Sequence, residues 1–208
     1  MSPRTRVKIC GVTRPGDARA CADAGADAIG LNFYPHSPRY VEIAQARAVR
    51  GALPPLVSAV AVFVDPQADE VRRVIDALRP DFLQFHGAEP AQFCASFGVP
   101  YIKACRVRAG VDLLEFLRPY ASAAGWLFDA YVEGYGGGGE AFDWTLMPAQ
   151  LERPVILSGG LRPDNVGEAV RRVRPWAVDV SSGVESAKGI KDPERVRRFI
   201  HEVRRADS

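Results

Sequence analysis

The feature that most constrains this chain is an alternation. Eight short apolar runs, rich in β-branched residues, are each followed by a segment of different pattern. The runs begin at Val7, Ala28, Leu56, Phe82, Tyr101, Gly125, Val155 and Ala177. They recur roughly 20 to 30 residues apart, the spacing of βα units that feed a parallel sheet. Most are apolar throughout, which predicts strands buried on both faces. A chain of 208 residues can bury one sizeable core and is short for two. The prediction is a single α/β domain over residues 1–208, a small closed (β/α)8 barrel of the TIM-barrel type. An open doubly wound sheet is the alternative, with its ligand at one mid-sheet crevice. Polar residues end nearly every run: Cys10, Asn32, Asp65, His86, Arg106, Asp129, Ser158 and Ser181. A ring of strand-end polar groups fits a barrel mouth better than a crevice.

The intervening segments carry helix signals. Thr13 stands where a cap would, with Pro15 in the first turn and Gly25 at the end. Residues 42–53 read as helical, and 68–78 place Val71, Val74, Ile75 and Leu78 on one face. Shorter helices are expected over 90–97, 112–120, 144–151 and 163–173. Asp192-Pro193-Glu194 starts the last, with Val196, Phe199, Ile200 and Val203 facing inward. The loop Tyr34-Pro35-His36-Ser37-Pro38-Arg39-Tyr40 is stiffened by two prolines. The least regular stretch is 131–143, with glycines at 136 to 139.

Composition narrows the function. A net charge of +2 argues neither for a nucleic-acid footprint nor for an acidic-partner surface. Many of the arginines fall on helical segments, as in Val170-Arg171-Arg172-Val173-Arg174, where they read as a solvated face. Cys10, Cys21, Cys94 and Cys105 lack C-x-x-C spacing and a His at zinc-ligand distance, so no metal is expected. No apolar run approaches the ~20 residues of a membrane span. Met1-Ser2-Pro3-Arg4-Thr5-Arg6 leads straight into a strand, unlike a signal peptide. The expectation is a cytoplasmic protein with free thiols, as monomer or homodimer, that binds neither membrane nor nucleic acid.

Two turns suggest the ligand. Ser158-Gly159-Gly160 and Ser181-Ser182-Gly183 follow the last two strands. Bare backbone lets N–H groups approach an anion, and loops after strands 7 and 8 of such barrels often hold phosphate. The ligand is therefore read as a small phosphorylated molecule. Two other strand ends can exchange protons: Cys10 after the first and Asp129 after the sixth. Arg39, in its stiff loop, suits a bidentate grip on a carboxylate. Arg106 is either a second cation or the partner of Asp129. Gln84 and His86 alternate, so both point the same way. No G-x-G-x-x-G follows the first strand, which argues against a dinucleotide.

With these residues in place the chain resembles the phosphoribosylanthranilate isomerase family of tryptophan biosynthesis, over nearly its whole length. The resemblance rests on an ordered set of motifs. They are Lys8-Ile9-Cys10-Gly11, Gly30-Leu31-Asn32-Phe33, Ser37-Pro38-Arg39, Gln84-Phe85-His86-Gly87 and Phe128-Asp129-Ala130. Phe142-Asp143-Trp144, Ser158-Gly159-Gly160-Leu161, Asp179-Val180-Ser181-Ser182-Gly183-Val184-Glu185 and Gly189-Ile190-Lys191-Asp192 follow. The resemblance implies an Amadori rearrangement of an N-aryl phosphoribosylamine to a 1-deoxyribulose phosphate, without cofactor or metal. It implies Asp129 as general acid, Cys10 as general base and Arg39 on the anthranilate carboxylate. It implies that the turns with Gly159, Gly160, Ser181, Ser182 and Gly183 hold the phosphate through backbone amides, and His86 and Arg106 are expected to join them in the substrate site. One departure is Gly136-Gly137-Gly138-Gly139, where the family often has Gly-Gly-Thr-Gly. A histidine-pathway isomerase would show two similar halves with an Asp near each half's first strand; here the first strand ends in Cys10. A non-catalytic phosphate-binding barrel would lack the acid or the base.

Overall fold

The computed structural model describes residues 4–108, 110–130, 143–148 and 151–208. The four glycines at 136–139 lie outside the described residues. Eight parallel strands close into a barrel in sequence order: β1 (Arg6–Cys10), β2 (Ala28–Asn32), β3 (Ser58–Phe63), β4 (Phe82–Phe85), β5 (Tyr101–Val107), β6 (Gly125–Ala130), β7 (Val155–Leu157) and β8 (Ala177–Val180). β1 pairs with β8 through Lys8 opposite Asp179, which completes the ring. The open-sheet alternative is thereby set aside.

Around the ring, among the described residues, lie α1 (Pro15–Ala24), α2 (Ile43–Gly51), α3 (Ala68–Leu78), α4 (Ala91–Ala95), α5 (Leu113–Leu117), α6 (Val166–Val173) and α7 (Pro193–Asp207). Val71, Val74 and Leu78 of α3 are buried, as are Val196, Phe199, Ile200 and Val203 of α7. Asp192 caps α7 by accepting from the backbone N–H of Glu194 and Arg195. Thr13 does not cap α1. Its hydroxyl donates to the Gly189 carbonyl at 2.7 Å, tying the β1 loop to the loop after β8, and Arg14 flanks the helix instead. Among the described residues 143–148 the chain makes one 3-10 turn, Trp144–Leu146, and Met147 is already extended, so the helix expected from 144 is broken there. Leu56 precedes β3, fully exposed in a left-handed turn, because Pro54-Pro55 bends the chain there.

Strand parity divides the core. One set of side chains points out and packs under the helices, including a run of rings from Phe33 through Phe63 and Phe85, with centroids 5.5 and 6.1 Å apart. The other set fills the barrel: Val60, Val62, Ile102, Ala104, Leu127, Ile156 and Ala177, with Cys10, Ala28 and Phe82 against them. Toward the N-terminal ends of the strands the interior widens into a cavity of about 210 Å³. Arg6 stacks on Trp176 at its rim, 3.5 Å from the ring centroid. At the other end apolar filling gives way to Lys8, Cys10, Gln84, Asp129, Ser158 and Asp179, and there the site lies.

Candidate active site

β1 supplies two inward residues. Lys8 and Cys10 alternate, so a strand that buries Val7 and Ile9 outward must aim both into the barrel. The Lys8 ammonium donates to Asp179 Oδ1 at 2.8 Å, with both side chains buried. Asp179 Oδ2 accepts from the Ser158 hydroxyl at 3.5 Å. Burial pushes the Cys10 thiol up, and Asp179 adds to that; Lys8 and Lys191 pull it back, and the net position lies above the ordinary thiol value. Burial pulls Lys8 down, but Asp179 and Cys10 outweigh it and hold the ammonium above its ordinary value. Cys21, Cys94 and Cys105 are buried packing residues whose thiols burial pushes up to about 12.

β6 supplies Asp129, at the same end of the barrel and partly exposed. His86 Nε2 lies 3.1 Å from Asp129 Oδ2, and His86 Nδ1 lies 2.9 Å from Gln84 Nε2. The Gln84 amide donates to Nδ1 in this arrangement, which leaves the ring proton on Nε2, donated to Asp129. Gln84 is fully buried, and its Oε1 has no partner among the described residues. Arg106 sits opposite Asp129 in the β5–β6 ladder, so the two are cross-strand neighbours.

Arg39 grips a carboxylate, and that carboxylate is internal. Its Nε and Nη2 donate to the two oxygens of Glu185, both at 2.7 Å. Lys191 adds a third bond to Glu185 Oε1 at 2.7 Å and also donates to the Ser181 carbonyl at 3.2 Å. Burial alone would raise the Glu185 carboxyl; the bonds from Arg39 and Lys191 overcome it and hold it below the usual carboxylate range. Among the described residues no acceptor engages Arg39 Nη1. Glu185 and Lys191 belong to a small antiparallel hairpin after β8, Glu185–Ala187 with Ile190–Lys191.

The two Gly/Ser turns meet. Gly159 and Gly160 have φ of 85° and 62°, left-handed values that favour glycine. A side chain on Gly159 would come within 3.0 Å of Asp129 Oδ1, so this turn borders the acid. A side chain on Gly183 would collide with the Leu161 carbonyl, so the β8 turn lies against the β7 turn. Ser181, Ser182 and Gly183 are partly exposed, and Ser182–Val184 forms a 3-10 turn. Asn165 braces the first turn by donating to the Gly160 carbonyl at 3.0 Å.

The structure thus gathers Cys10, Arg39, His86, Arg106, Asp129, Gly159, Gly160, Ser181, Ser182 and Gly183 at one end of the barrel. Residue reasoning assigned no role to Lys8, Asp179, Glu185 or Lys191, which the fold adds. Lys8 carried a signal, since it lies two residues before Cys10 on a strand and must share its face. Glu185 and Lys191 stand in the quoted motifs, but the two short strands of their hairpin show no period that would place their side chains. Among the described residues no group of three or more His, Cys, Asp or Glu is placed to hold a metal ion, and no helix is long and apolar enough to cross a membrane.

Comparison with known proteins fits this arrangement. Residues 7–202 match the family model of N-(5'-phosphoribosyl)anthranilate (PRA) isomerase. A relative from Leptothrix cholodnii, N-(5'-phosphoribosyl)anthranilate isomerase, is 56% identical over 209 aligned positions, which cover 100% of this chain and 95% of that protein. The crystal structure of phosphoribosyl anthranilate isomerase from Thermotoga maritima superposes with a TM-score of 0.89 at 40% identity, covering 96% of this chain and 98% of that one. A second crystal structure, of phosphoribosyl anthranilate isomerase in complex with reduced 1-(o-carboxyphenylamino)-1-deoxyribulose 5-phosphate, superposes with a TM-score of 0.83 at 36% identity and the same coverage.

Proposed function

The chain belongs to the N-(5'-phosphoribosyl)anthranilate isomerase family of tryptophan biosynthesis, and on that premise we propose that Cys10 is its general base and Asp129 its general acid. The reaction is an Amadori rearrangement that needs one proton delivered to the ring oxygen on C1′ and one removed from the adjacent C2′. Asp129 delivers a proton to the furanose oxygen as the C1′–O bond breaks. The aniline nitrogen supplies the electron pair that forms the C1′=N Schiff base. The Cys10 thiolate then removes the C2′ proton, and the C–H electrons move toward the nitrogen to give the enolamine. Tautomerisation of that enolamine yields the 1-deoxyribulose product.

Binding follows the same geometry. The two Gly/Ser turns hold the phosphate through the backbone around Gly159, Gly160, Ser181, Ser182 and Gly183. Arg39 meets the anthranilate carboxylate with its Nη1 edge, because Glu185 already occupies the other. His86 acts on the acid, to which it is bonded, and Arg106 supplies a cation beside it.

What supports the reading most is the placement of Asp129: one neighbour is the His86 ring and the other is the Gly159 turn. A phosphate on that turn would bring a short ribose chain within reach of both strand ends. The test is steady-state turnover, followed by loss of anthranilate-type fluorescence. Cys10→Ser and Asp129→Asn should each lower kcat by about 10²- to 10⁴-fold, the range expected for a general base or acid. Near-parental kcat in either variant overturns that residue's role.

A further inference from the structure

The proposed base stands in a place that opposes it. Burial disfavours a thiolate, and Cys10 has the Asp179 carboxylate nearby as well. One neighbour acts the other way and was placed there by the strand itself. Lys8 shares the inward face of β1 with Cys10. The two side chains meet in the space that Gly30 leaves open on β2. A Cβ on Gly30, opposite Cys10 in the ladder, would lie 2.8 Å from Cys10 Sγ and 3.2 Å from Lys8 Nζ. That gap, absent with any other residue at 30, brings sulfur and ammonium together below the mouth. Asp179 faces the same ammonium from β8 at 2.8 Å.

We propose that Lys8 is the positioning residue that stabilises the Cys10 thiolate, and that Asp179 competes with the thiolate for the same ammonium. This rests on the reading of Cys10 as base. With the thiol protonated, Lys8 donates to Asp179, and the buried trio carries no net charge. When Cys10 loses its proton to solvent, the trio gains one negative charge, which Lys8 shares between carboxylate and sulfur. Lys8 lowers the cost of the thiolate; Asp179, by holding the same ammonium, limits how far that cost falls. The other charged groups facing Cys10 are Lys191 and Arg39, both tied to Glu185. Those two cations share one carboxylate, but only Lys8 lies on the β1 face and in the Gly30 gap with the sulfur, so Lys8 is the lever.

The two partners therefore shift the thiol in opposite directions, which a merely structural pair would not do. The test is the pH dependence of Cys10 alkylation by iodoacetamide in the free enzyme, resolved by peptide mass spectrometry. Lys8→Met should move the midpoint up by at least about one unit, tenfold less thiolate at fixed pH, as removal of a close opposite charge does. Asp179→Asn should move it down. The ascending limb of kcat/KM against pH should shift with the midpoint in both variants, with KM near parental, as expected of groups that act through Cys10. An unchanged midpoint in Lys8→Met, or a shift of the same sign in both variants, overturns the proposal. If Lys8→Met does not fold, Asp179→Asn decides alone, down for and unchanged or up against. The alkylation readout needs no turnover. Shifts of opposite sign beside a Cys10→Ser enzyme of parental kcat would therefore reject Cys10 as base and leave the ion pair's effect on the thiol standing.

Discussion

Three buried lysine–carboxylate pairs lie among the described residues, and two of them, those of Lys103 and Lys8, are built differently. Lys103 on β5 points outward beneath the loops and donates to Glu89 Oε2 and to the Gly87 carbonyl, both at 2.7 Å. Glu89 in turn accepts from the backbone N–H of Asp65 and of Gly87, and the Tyr120 hydroxyl donates to its carbonyl. Every oxygen of that carboxylate is engaged, and the pair knots the ends of β3 and β4 together, one residue from His86. Lys8 points inward and meets Asp179, whose only other hydrogen-bond partner among the described residues is Ser158, at 3.5 Å. A buried pair that is saturated with backbone bonds holds a shape. A buried pair with coordination to spare beside a thiol can exchange one partner for another. The lesson is that burial of an ion pair says little about its use until its remaining bonds are counted.

The comparison can be broken at several strengths. The largest effect belongs to the chemistry: Cys10→Ser and Asp129→Asn should lose at least about 10²-fold in kcat while urea midpoints stay near parental. A large loss of stability in either would make it part of the scaffold. Next, Lys103→Met leaves Glu89 buried and unpaired, and should cost about 3–5 kcal/mol, read as a lower urea midpoint at unchanged slope. A loss under about 1 kcal/mol would show that the backbone bonds alone hold the knot.

Sharper still are the double replacements. Lys8→Met with Asp179→Leu removes both charges and orphans little, so it should recover most of the stability lost in Lys8→Met alone. Lys103→Met with Glu89→Leu strands the Asp65 and Gly87 N–H groups and should recover little. Equal recovery in both would erase the distinction.

The smallest effect is at Glu185. Glu185→Gln frees Arg39 and Lys191 from a charged partner, and should raise KM about tenfold with kcat less affected. The same variant tests acid stability. A carboxyl held below its ordinary value contributes stability that is fully present above about pH 4.3, the unfolded value, and is lost as pH falls through the lower folded one. Glu185→Gln should flatten that acid loss, and an unchanged acid profile would show that its neighbours do not depress it.

Much of this was legible in the sequence for a physical reason. The strands are buried on both faces, so their apolar runs are nearly continuous, and closure needs only that eight of them follow one another. The bounds of α3 and the start of α7 were legible because helical period and an Asp-Pro start leave local marks. Thr13 misled because a hydroxyl that looks like a cap can equally bond a distant carbonyl, here Gly189. The ion pairs were invisible for the same reason: Lys8 and Asp179 are 171 positions apart, Arg39 and Glu185 146. Charge in an apolar strand announces that a partner exists without naming it. So Arg39 was readable as a carboxylate grip, and Glu185 as its first carboxylate was not.

The most direct measurement of the central claim is a crystal structure of this protein with a reduced product analogue bound. The account predicts Cys10 Sγ about 3–3.5 Å from C2′, near-attack distance, and an Asp129 oxygen within hydrogen-bond reach of the oxygen that closes the furanose ring, with the phosphate on the Gly159 and Ser182 turns. A bound analogue whose C2′ faces away from the sulfur, or whose ring oxygen meets a group other than Asp129, would contradict it.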